Sequence, residues 1–345
     1  MMMKMRNKNT LLVGLLCILM SACSTTKSLP EGETLYTGID KLEVVNEDKT
    51  LAGITALTEV EAALAYAPNN AIFGSSSLRW PIPFGLWVYN GFEKYQDKKG
   101  IGRWIFDHLG KSPVLMSSVN GETRAKVATN LLHDYGYFNG SVSYKEVPQK
   151  NPKEAKVSYV IDMARPYFLD SIAYLKYPHY ADSLIQSTRS QSVLKSGENF
   201  SVIKLEEERQ RLSNLLRNHG YYYYRPEFTT YRADTLQKSG YVSLQVVPRN
   251  GIPAEAKKQY YIGNTSVYLT GYDNEPPTDT LRLRTMTFYY SGKKPGIRPN
   301  ALMRNVFFRK GELFSQDRQT FTQEAIARMG VFRYSEFRYE PKDTT

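Results

Sequence analysis

The sequence predicts an α+β fold in which a module of order β-α-α-β-β is repeated in tandem. A junction between a helix, a glycine and an aromatic segment occurs three times, at Gly136, Gly220 and Gly330. A second repeat, Gly-Glu-Asn-Phe-Ser at 197–201 and Gly-Glu-Leu-Phe-Ser at 311–315, leads into a helix each time. The 26 tyrosines are typical of strands. A unit used repeatedly indicates a modular scaffold and not an enzyme built around one cleft.

Residues 1–22 have the organisation of a secretory signal peptide. Basic residues at positions 4, 6 and 8 precede an apolar stretch, 11–20, that is too short to span a bilayer. Ser21 and Ala22 then precede Cys23, which resembles a bacterial lipobox. The resemblance implies cleavage before Cys23, lipid attachment to that residue, and a short lipidated leash at 23–34. The alternative is an ordinary cleavage site followed by an incidental cysteine.

Cysteine use and charge agree with export to a membrane. The chain has two cysteines, of which Cys17 lies in the signal peptide and Cys23 would be acylated, so the mature chain forms no disulfide. Processing removes three cations and lowers the net charge from +11 to +8. A basic protein held at a membrane favours anionic lipid headgroups. Export argues against nucleic acid as the partner of these charges.

The first predicted module, residues 35–165, contains an aromatic insertion at 71–113. Apolar spacing predicts the following elements: strand 35–46, helices 52–67 and 118–132, and strands 137–147 and 156–163. The insertion holds all three tryptophans, and short helices are predicted at 85–95 and 101–109. One interpretation is that its aromatics pack on their own domain. The other is a surface for lipid headgroups or a partner.

The order begins again in the second predicted module, residues 166–250. The predicted elements are strand 167–174, helices 182–192 and 202–219, and strands 221–231 and 241–247. The charged residues of the long helix are predicted to face water: Glu206, Glu207, Glu208, Arg209 and Arg211.

The third predicted module, residues 256–345, is expected to be incomplete. The predicted elements are strand 260–269, a strand-like addition at 281–290, helices 300–308 and 316–329, and strand 331–340. The returning strand of its hairpin is missing, which would leave backbone groups uncovered. The sequence is therefore expected to be truncated, naturally or as a fragment.

Taken in order, these features resemble POTRA (polypeptide-transport-associated) domains. The resemblance is carried by the β-α-α-β-β order, the two Gly-Glu-x-Phe-Ser leads, the glycine–aromatic junctions and the strand at Ile262-Gly263-Asn264. Such domains precede the membrane barrel in the BamA/TamA superfamily of outer-membrane assembly proteins, also called bacterial surface antigens. The lipobox, residues 29–36 and the aromatic insertion are similar to its TamA-like lipoprotein branch, TamL.

The resemblance implies a lipid-anchored outer-membrane protein whose modules lie in the periplasm. The implied partners are unfolded outer-membrane proteins, a TamB-like inner-membrane protein or other assembly subunits, and outer-membrane lipid through acylated Cys23. No cofactor and no nucleic acid are implied. No barrel is expected in this chain, so membrane-insertion activity is not carried over.

The predicted chemistry is β-strand addition, because an edge strand offers unpaired N–H and C=O groups to an extended peptide. The candidate residues are Tyr137, Ser141 and Tyr144 on the first edge, and Val331, Ser335 and Phe337 on the third. The second edge contains Pro226, which has no backbone N–H donor and therefore weakens pairing with an added strand.

No catalytic or metal site is predicted. The four histidines do not form a close metal-ligand pattern, and His133 and His219 lie near helix C-termini, where a cation suits the helix dipole. The sequence has no recognisable nucleophile–base motif or phosphate-binding loop. Two other classes stay open: a lipid-anchored adhesin or cell-wall-binding module and, more remotely, an envelope hydrolase.

Overall fold

The protein is described by a computed structural model over residues 25–271 and 276–342. The signal peptide and Cys23 lie outside the described residues. The chain divides into two compact units, Met1–Tyr167 with Asn199–Ser201, and Phe168–Glu198 with Val202–Thr345. The described residues form three small mixed sheets with helices, which confirms the α+β class.

The first unit contains one β-α-α-β-β module with an inserted helix pair. Its elements are β1 Leu35–Val45, α1 Leu51–Leu64, α2 Phe84–Phe92, α3 Ile101–Leu109, α4 Met116–Val119, α5 Gly121–Asp134, β2 Ser141–Pro148 and β3 Glu154–Asp162. Strand β3 lies in the centre of the sheet, parallel to β1 and antiparallel to β2. The helix predicted at 118–132 is divided at Asn120, because its φ of 47° breaks the helix and its side chain caps α5 by accepting from the amide of Thr123.

The core of this module lies between the sheet and helices α1 and α5. Alternate residues of β3 are buried, namely Ala155, Val157, Tyr159 and Ile161. The alternation directs one face of the sheet toward the helices. Val60, Leu64 and Leu132 pack in the same cluster. Each fully buried aliphatic side chain contributes roughly 1.5–3 kcal/mol, so this layer is a main source of the module's stability.

The second unit begins with a module of the same order. Its elements are β4 Phe168–Tyr174, α6 His179–Ser187, α7 Val202–Asn218, β5 Thr229–Asp234 and β6 Tyr241–Pro248. Strand β6 is central, parallel to β4 and antiparallel to β5. The predicted repetition of the module is therefore confirmed.

The strand predicted from Tyr221 begins only at Thr229. Residues 221–228 form turns, with a 3₁₀ turn at Pro226–Phe228. Tyr221 and Tyr224 are both buried although they lie three residues apart. A strand would direct these two side chains to opposite faces, so burying both on one side requires a turn.

The third sheet differs from the predicted order. The elements are β7 Thr265–Tyr268, β8 Asp279–Leu283, β9 Met286–Tyr290, α8 Pro299–Met303 and α9 Gln316–Arg328. Strand β9 is central, parallel to β7 and antiparallel to β8. The hairpin that completes the sheet therefore precedes the helices, and it turns at Arg284, whose φ is 54°.

The predicted strand at 331–340 is wrong. These residues form no regular element. Because β8 and β9 already supply the edge and the centre of the sheet, this segment adds no strand to it. Phe332 and Phe337 pack against the cluster that contains Phe288 of β9. Phe337 and Tyr339 pack against the cluster of Ile262, Phe308 and Phe314.

The glycine–aromatic junction of the first unit is a hydrogen-bonded joint. The carbonyl of Gly136 accepts from the amide of Tyr167 at 2.9 Å, and the carbonyl of Tyr167 accepts from the amide of Phe200 at 2.8 Å. The ring of Phe138 contacts the rings of Tyr167 and Phe200, each at a centroid distance of 5.0 Å.

The second unit contains the same joint around Gly220. The carbonyl of Gly220 accepts from the amide of Tyr260 at 2.8 Å, and the carbonyl of Tyr260 accepts from the amide of Phe314 at 2.9 Å. Tyr222 contacts Phe314 with ring centroids 4.8 Å apart. The repeated sequence motifs therefore meet in one recurring arrangement, in which the glycine segment lies beside the phenylalanine of a Gly-Glu-x-Phe-Ser motif within the same unit.

Candidate strand-addition edge

Strand β2 is an edge of the first sheet. It pairs with β3 without a register shift, from Ser141 opposite Asp162 to Pro148 opposite Ala155. Within residues 25–271 and 276–342, β3 is its only strand partner. Beyond Val142, the other side of β2 therefore has no strand partner among these residues and is open to an added strand.

The direction of the β2 backbone groups follows from one hydrogen bond. The amide of Val142 donates to Oγ1 of Thr129 on α5 at 2.9 Å and so points away from β3. In an antiparallel pair the residues alternate between bonding the partner strand and facing away from it. Tyr144 and Glu146 therefore present their N–H and C=O groups to the open side. Pro148 has no N–H and ends the usable edge.

The side chains of β2 leave this edge accessible. Val142 is buried, whereas Ser141, Ser143, Tyr144, Lys145 and Glu146 are exposed. Charged residues on an edge discourage uncontrolled pairing between copies. Lys145 and Glu146 therefore suit an edge that stays open without aggregating.

Tyr137, predicted as an edge residue, is instead a core residue. It precedes β2, is fully buried, and donates its hydroxyl to Oδ2 of Asp48 at 2.6 Å. Burial raises the pKa of Tyr137, and the bond to Asp48 adds to this. Burial also acts to raise the pKa of Asp48, but the hydrogen bonds from Tyr137 and Thr50 outweigh it and lower that pKa overall.

We expect Tyr137→Phe to lower the free energy of unfolding of the first module by about 1 kcal/mol at pH 7, because a hydrogen bond to a partly exposed carboxylate is lost. The folded pKa of Asp48 lies below its unfolded value. This contribution is therefore present above about pH 4 and is lost as the pH falls through the folded pKa. Urea unfolding followed by tryptophan fluorescence at pH 7 and at acid pH measures both effects, since all three tryptophans lie in this unit.

Tyr144→Phe is the matched control, because the side chain of Tyr144 is 37% exposed. An equal loss of stability in the two variants, or a loss for Tyr137→Phe that does not change with pH, would contradict the assignment.

The residues predicted on a third edge do not lie on a strand. Val331 is exposed, and Ser335 lies in the irregular segment. The ring of Phe337 contacts the ring of Phe308, with the two ring centroids 6.1 Å apart. The antiparallel edge of this sheet is β8, whose residues are largely exposed. The sequence pattern predicted strand character at 281–290 but not the hairpin, although the turn at 284–285 divides an alternating apolar and polar run, 281–283, from the apolar and aromatic run at 286–290.

Pro226 does not lie in the strand that forms the second edge. Pro226 lies in the 3₁₀ turn before β5, which begins at Thr229. Strand β5 pairs only with β6 among the described residues, so it is an edge strand as well.

His133 and His219 lie within hydrogen-bonding distance of backbone carbonyl groups. A ring nitrogen of His133 lies 3.1 Å from the carbonyl oxygen of Gly140, and one of His219 lies 2.7 Å from that of Leu215. In the part of the chain that the structure describes, no group of three potential metal ligands comes together. Over the same residues, no helix has the length and apolarity needed to cross a bilayer.

Comparison with known proteins gives structural likeness at low identity. The chain is similar to POTRA3-5 of BamA from Haemophilus influenzae, with 10% identity, 92% of this chain and 95% of that chain covered, and a TM-score of 0.38. It is similar to POTRA1-3 of the periplasmic domain of Omp85 from Anabaena, with 12% identity, 88% of each chain and a TM-score of 0.27. The N-terminal domain of Omp85 from Thermosynechococcus elongatus gives 14% identity, 91% and 93% coverage, and a TM-score of 0.26.

No protein-family profile and no curated protein matches the sequence.

Proposed function

We propose that the chain is a non-enzymatic periplasmic scaffold in outer-membrane protein assembly that binds extended segments of unfolded proteins by strand addition at β2. The observation that carries the proposal is the open side of β2, where Tyr144 and Glu146 present amide and carbonyl groups. Main-chain pairing depends little on the sequence of the added strand, which suits a protein that handles many substrates.

The size of the edge indicates transient binding. Two amides and two carbonyls form four hydrogen bonds, each with a net value of about 1 kcal/mol. Their sum of about 4 kcal/mol corresponds to a dissociation constant near 1 mM before the entropic cost of ordering the peptide. Substrates would therefore be held briefly and released, and edges such as β5 and β8 could add to the retention.

The remaining parts of the proposal come from the sequence and from the proteins it resembles. The lipobox supports anchoring to the outer membrane through acylated Cys23. The chain is similar to POTRA domains of BamA from Haemophilus influenzae and of the periplasmic domain of Omp85 from Anabaena, and the second likeness supports the periplasmic location. A TamB-like protein and other assembly subunits are the proposed partners.

Proline at Glu146 tests the edge directly. The amide of Glu146 faces away from β3, so Glu146→Pro removes a donor from the open side without breaking a bond within the sheet. We expect photocrosslinking from position 143 to a urea-unfolded outer-membrane barrel protein to fall about fivefold. This is the change in dissociation constant that the loss of one hydrogen bond of about 1 kcal/mol produces.

Glu146→Ala is the matched control, because it removes the same side chain but keeps the amide. It is expected to crosslink like the unmodified chain. Circular dichroism of both variants verifies that the fold is retained. Equal crosslinking by the proline and alanine variants, with both folded, would show that β2 does not bind substrate by strand addition.

A further inference from the structure

The insertion at residues 71–113 exposes large apolar side chains that the fold does not use. Phe73, Leu78, Trp80, Phe84, Ile101 and Trp104 are each more than half exposed. Other residues of the same segment are well packed, since Leu86 and Val88 of α2 are buried. Of the two interpretations of its aromatics, packing on their own domain therefore describes only part of the insertion, because its helix pair has an inner and an outer side.

Helix α3 shows the two sides clearly. On its inner side the Cα of Gly102 faces the ring of Tyr95, and the ring of Phe106 lies 5.1 Å from that of Tyr89. Ile101 and Trp104, three residues apart, lie on an outer apolar face and are 78% and 56% exposed. Arg103 and Asp107 form an ion pair on the polar side. A helix with an uncovered apolar face and a charged face is typical of helices that lie in a membrane interface.

The described part of the leash contacts this helix pair. The carbonyl of Thr25 accepts from Nδ2 of Asn90 on α2 at 3.2 Å. Ser28 donates its hydroxyl to Glu93, which directly follows α2. Cys23 precedes Thr25 by two residues, and two residues span at most about 7 Å. The Cα of Cys23 therefore lies within about 7 Å of the Cα of Thr25, so the predicted lipid anchor would be attached beside the insertion.

The charge of the insertion complements an anionic bilayer surface. It contains six Lys and Arg residues and three Asp and Glu residues. Lys94 and Lys98 lie over the ring of Tyr95, at 5.2 and 5.6 Å from its centroid. Each basic residue near an anionic surface contributes about 1 kcal/mol of attraction, and tryptophan favours the headgroup level.

We infer that the outer side of the insertion is a membrane-docking surface that rests in the headgroup region of a bilayer containing anionic lipid. The inference rests on the proposed lipid anchor at Cys23, which would hold this surface against the membrane. The acyl chains supply the affinity, and the insertion fixes the orientation of the first unit on the bilayer.

The three tryptophans provide the test, because all of them lie in the insertion. Trp80 and Trp104 are more than half exposed, whereas the ring nitrogen of Trp87 is buried. The acylated chain is reconstituted in vesicles of phosphatidylcholine and phosphatidylglycerol that carry brominated acyl chains. A variant that keeps only Trp104 (Trp80→Phe with Trp87→Phe) is expected to lose most of its emission. A variant that keeps only Trp87 is the matched control and is expected to lose little.

A second measurement separates the surface from the anchor. The chain with Cys23→Ser carries no acyl group and is expected to bind the same vesicles weakly. Adding Ile101→Asp and Trp104→Asp should weaken that binding at least about tenfold, since two apolar side chains of this size lose their burial.

The outcomes distinguish the two proposals. Mass spectrometry that finds no lipid on Cys23 overturns the anchor, and the Cys23→Ser vesicle measurement then decides the surface alone. An acylated chain whose Trp104 is not quenched overturns the docking surface and leaves the anchor intact. A photocrosslinker at position 104 that captures a protein in cell envelopes, or retention of the chain on cell-wall glycan, also overturns it.

Discussion

Replacing Glu208 by alanine is expected to lower the free energy of unfolding of the second module by about 3–5 kcal/mol, because it removes one partner of a buried ion pair. The side chain of Glu208 is fully buried in α7, and its carboxylate accepts from Nη2 of Arg211 at 2.6 Å and from Nε at 2.9 Å. It also accepts from the hydroxyl of Tyr174 at 2.7 Å and the amide of Val193 at 3.2 Å. The alanine variant would leave all four donor groups without this acceptor.

Glu206→Ala is the matched control on the same helix. Glu206 also pairs with an arginine three residues later, Arg209 at 2.9 Å, but its side chain is 61% exposed. Exposed pairs contribute about 1 kcal/mol or less. Hydrogen exchange of the β6 amides, combined with urea unfolding, should show a large effect for Glu208 and a small one for Glu206. Similar losses of stability for both variants would show that burial does not determine how much the Glu208–Arg211 ion pair contributes to the free energy of unfolding.

Glu208 also shows where the sequence prediction was limited. The charged run of α7 was predicted to face water, and this is wrong for Glu208. Its position, four residues before Leu212 and eight before Leu216, places it on the apolar stripe of the helix, and this signal was available. Its partners Tyr174 and Val193 come from other segments, and a local pattern does not identify them.

The sheets show the same division between local and long-range information. Periodicity predicted most helices and strands, and α7 differs from its prediction by one residue. It did not determine which strand occupies each position in the third sheet, because 281–290 and 331–340 both have strand-like patterns. At the candidate edge, the sequence predicted the strand that contains Ser141 and Tyr144. Which amides face outward became evident only from the contact between Val142 and Thr129.

The largest effect at a glycine is expected for Gly136→Ala, which should lower the free energy of unfolding of the first module by more than about 3 kcal/mol. The φ of Gly136 is +90°, a conformation that costs an L-residue about 1–2 kcal/mol. An added Cβ would also lie 2.5 Å from the carbonyl oxygen of Phe200. That oxygen belongs to the backbone of the hydrogen-bonded joint, so it can move away from the added Cβ only if the joint opens. Urea unfolding followed by tryptophan fluorescence measures the loss.

The other two junctions give a graded series that separates the backbone cost from the contact. Gly220 has a φ of +95°, and its added Cβ would meet the tip of the Leu313 side chain at 2.7 Å, which can rotate, so we expect a loss of about 2 kcal/mol. Gly330 has a φ of +67° and no atom within 4 Å, so Gly330→Ala should cost only about 1 kcal/mol. Hydrogen exchange of α7 and α9 reports these two losses. If all three substitutions cost the same, the backbone conformation alone accounts for the glycines, and the joint with the Gly-Glu-x-Phe-Ser lead contributes nothing to their requirement.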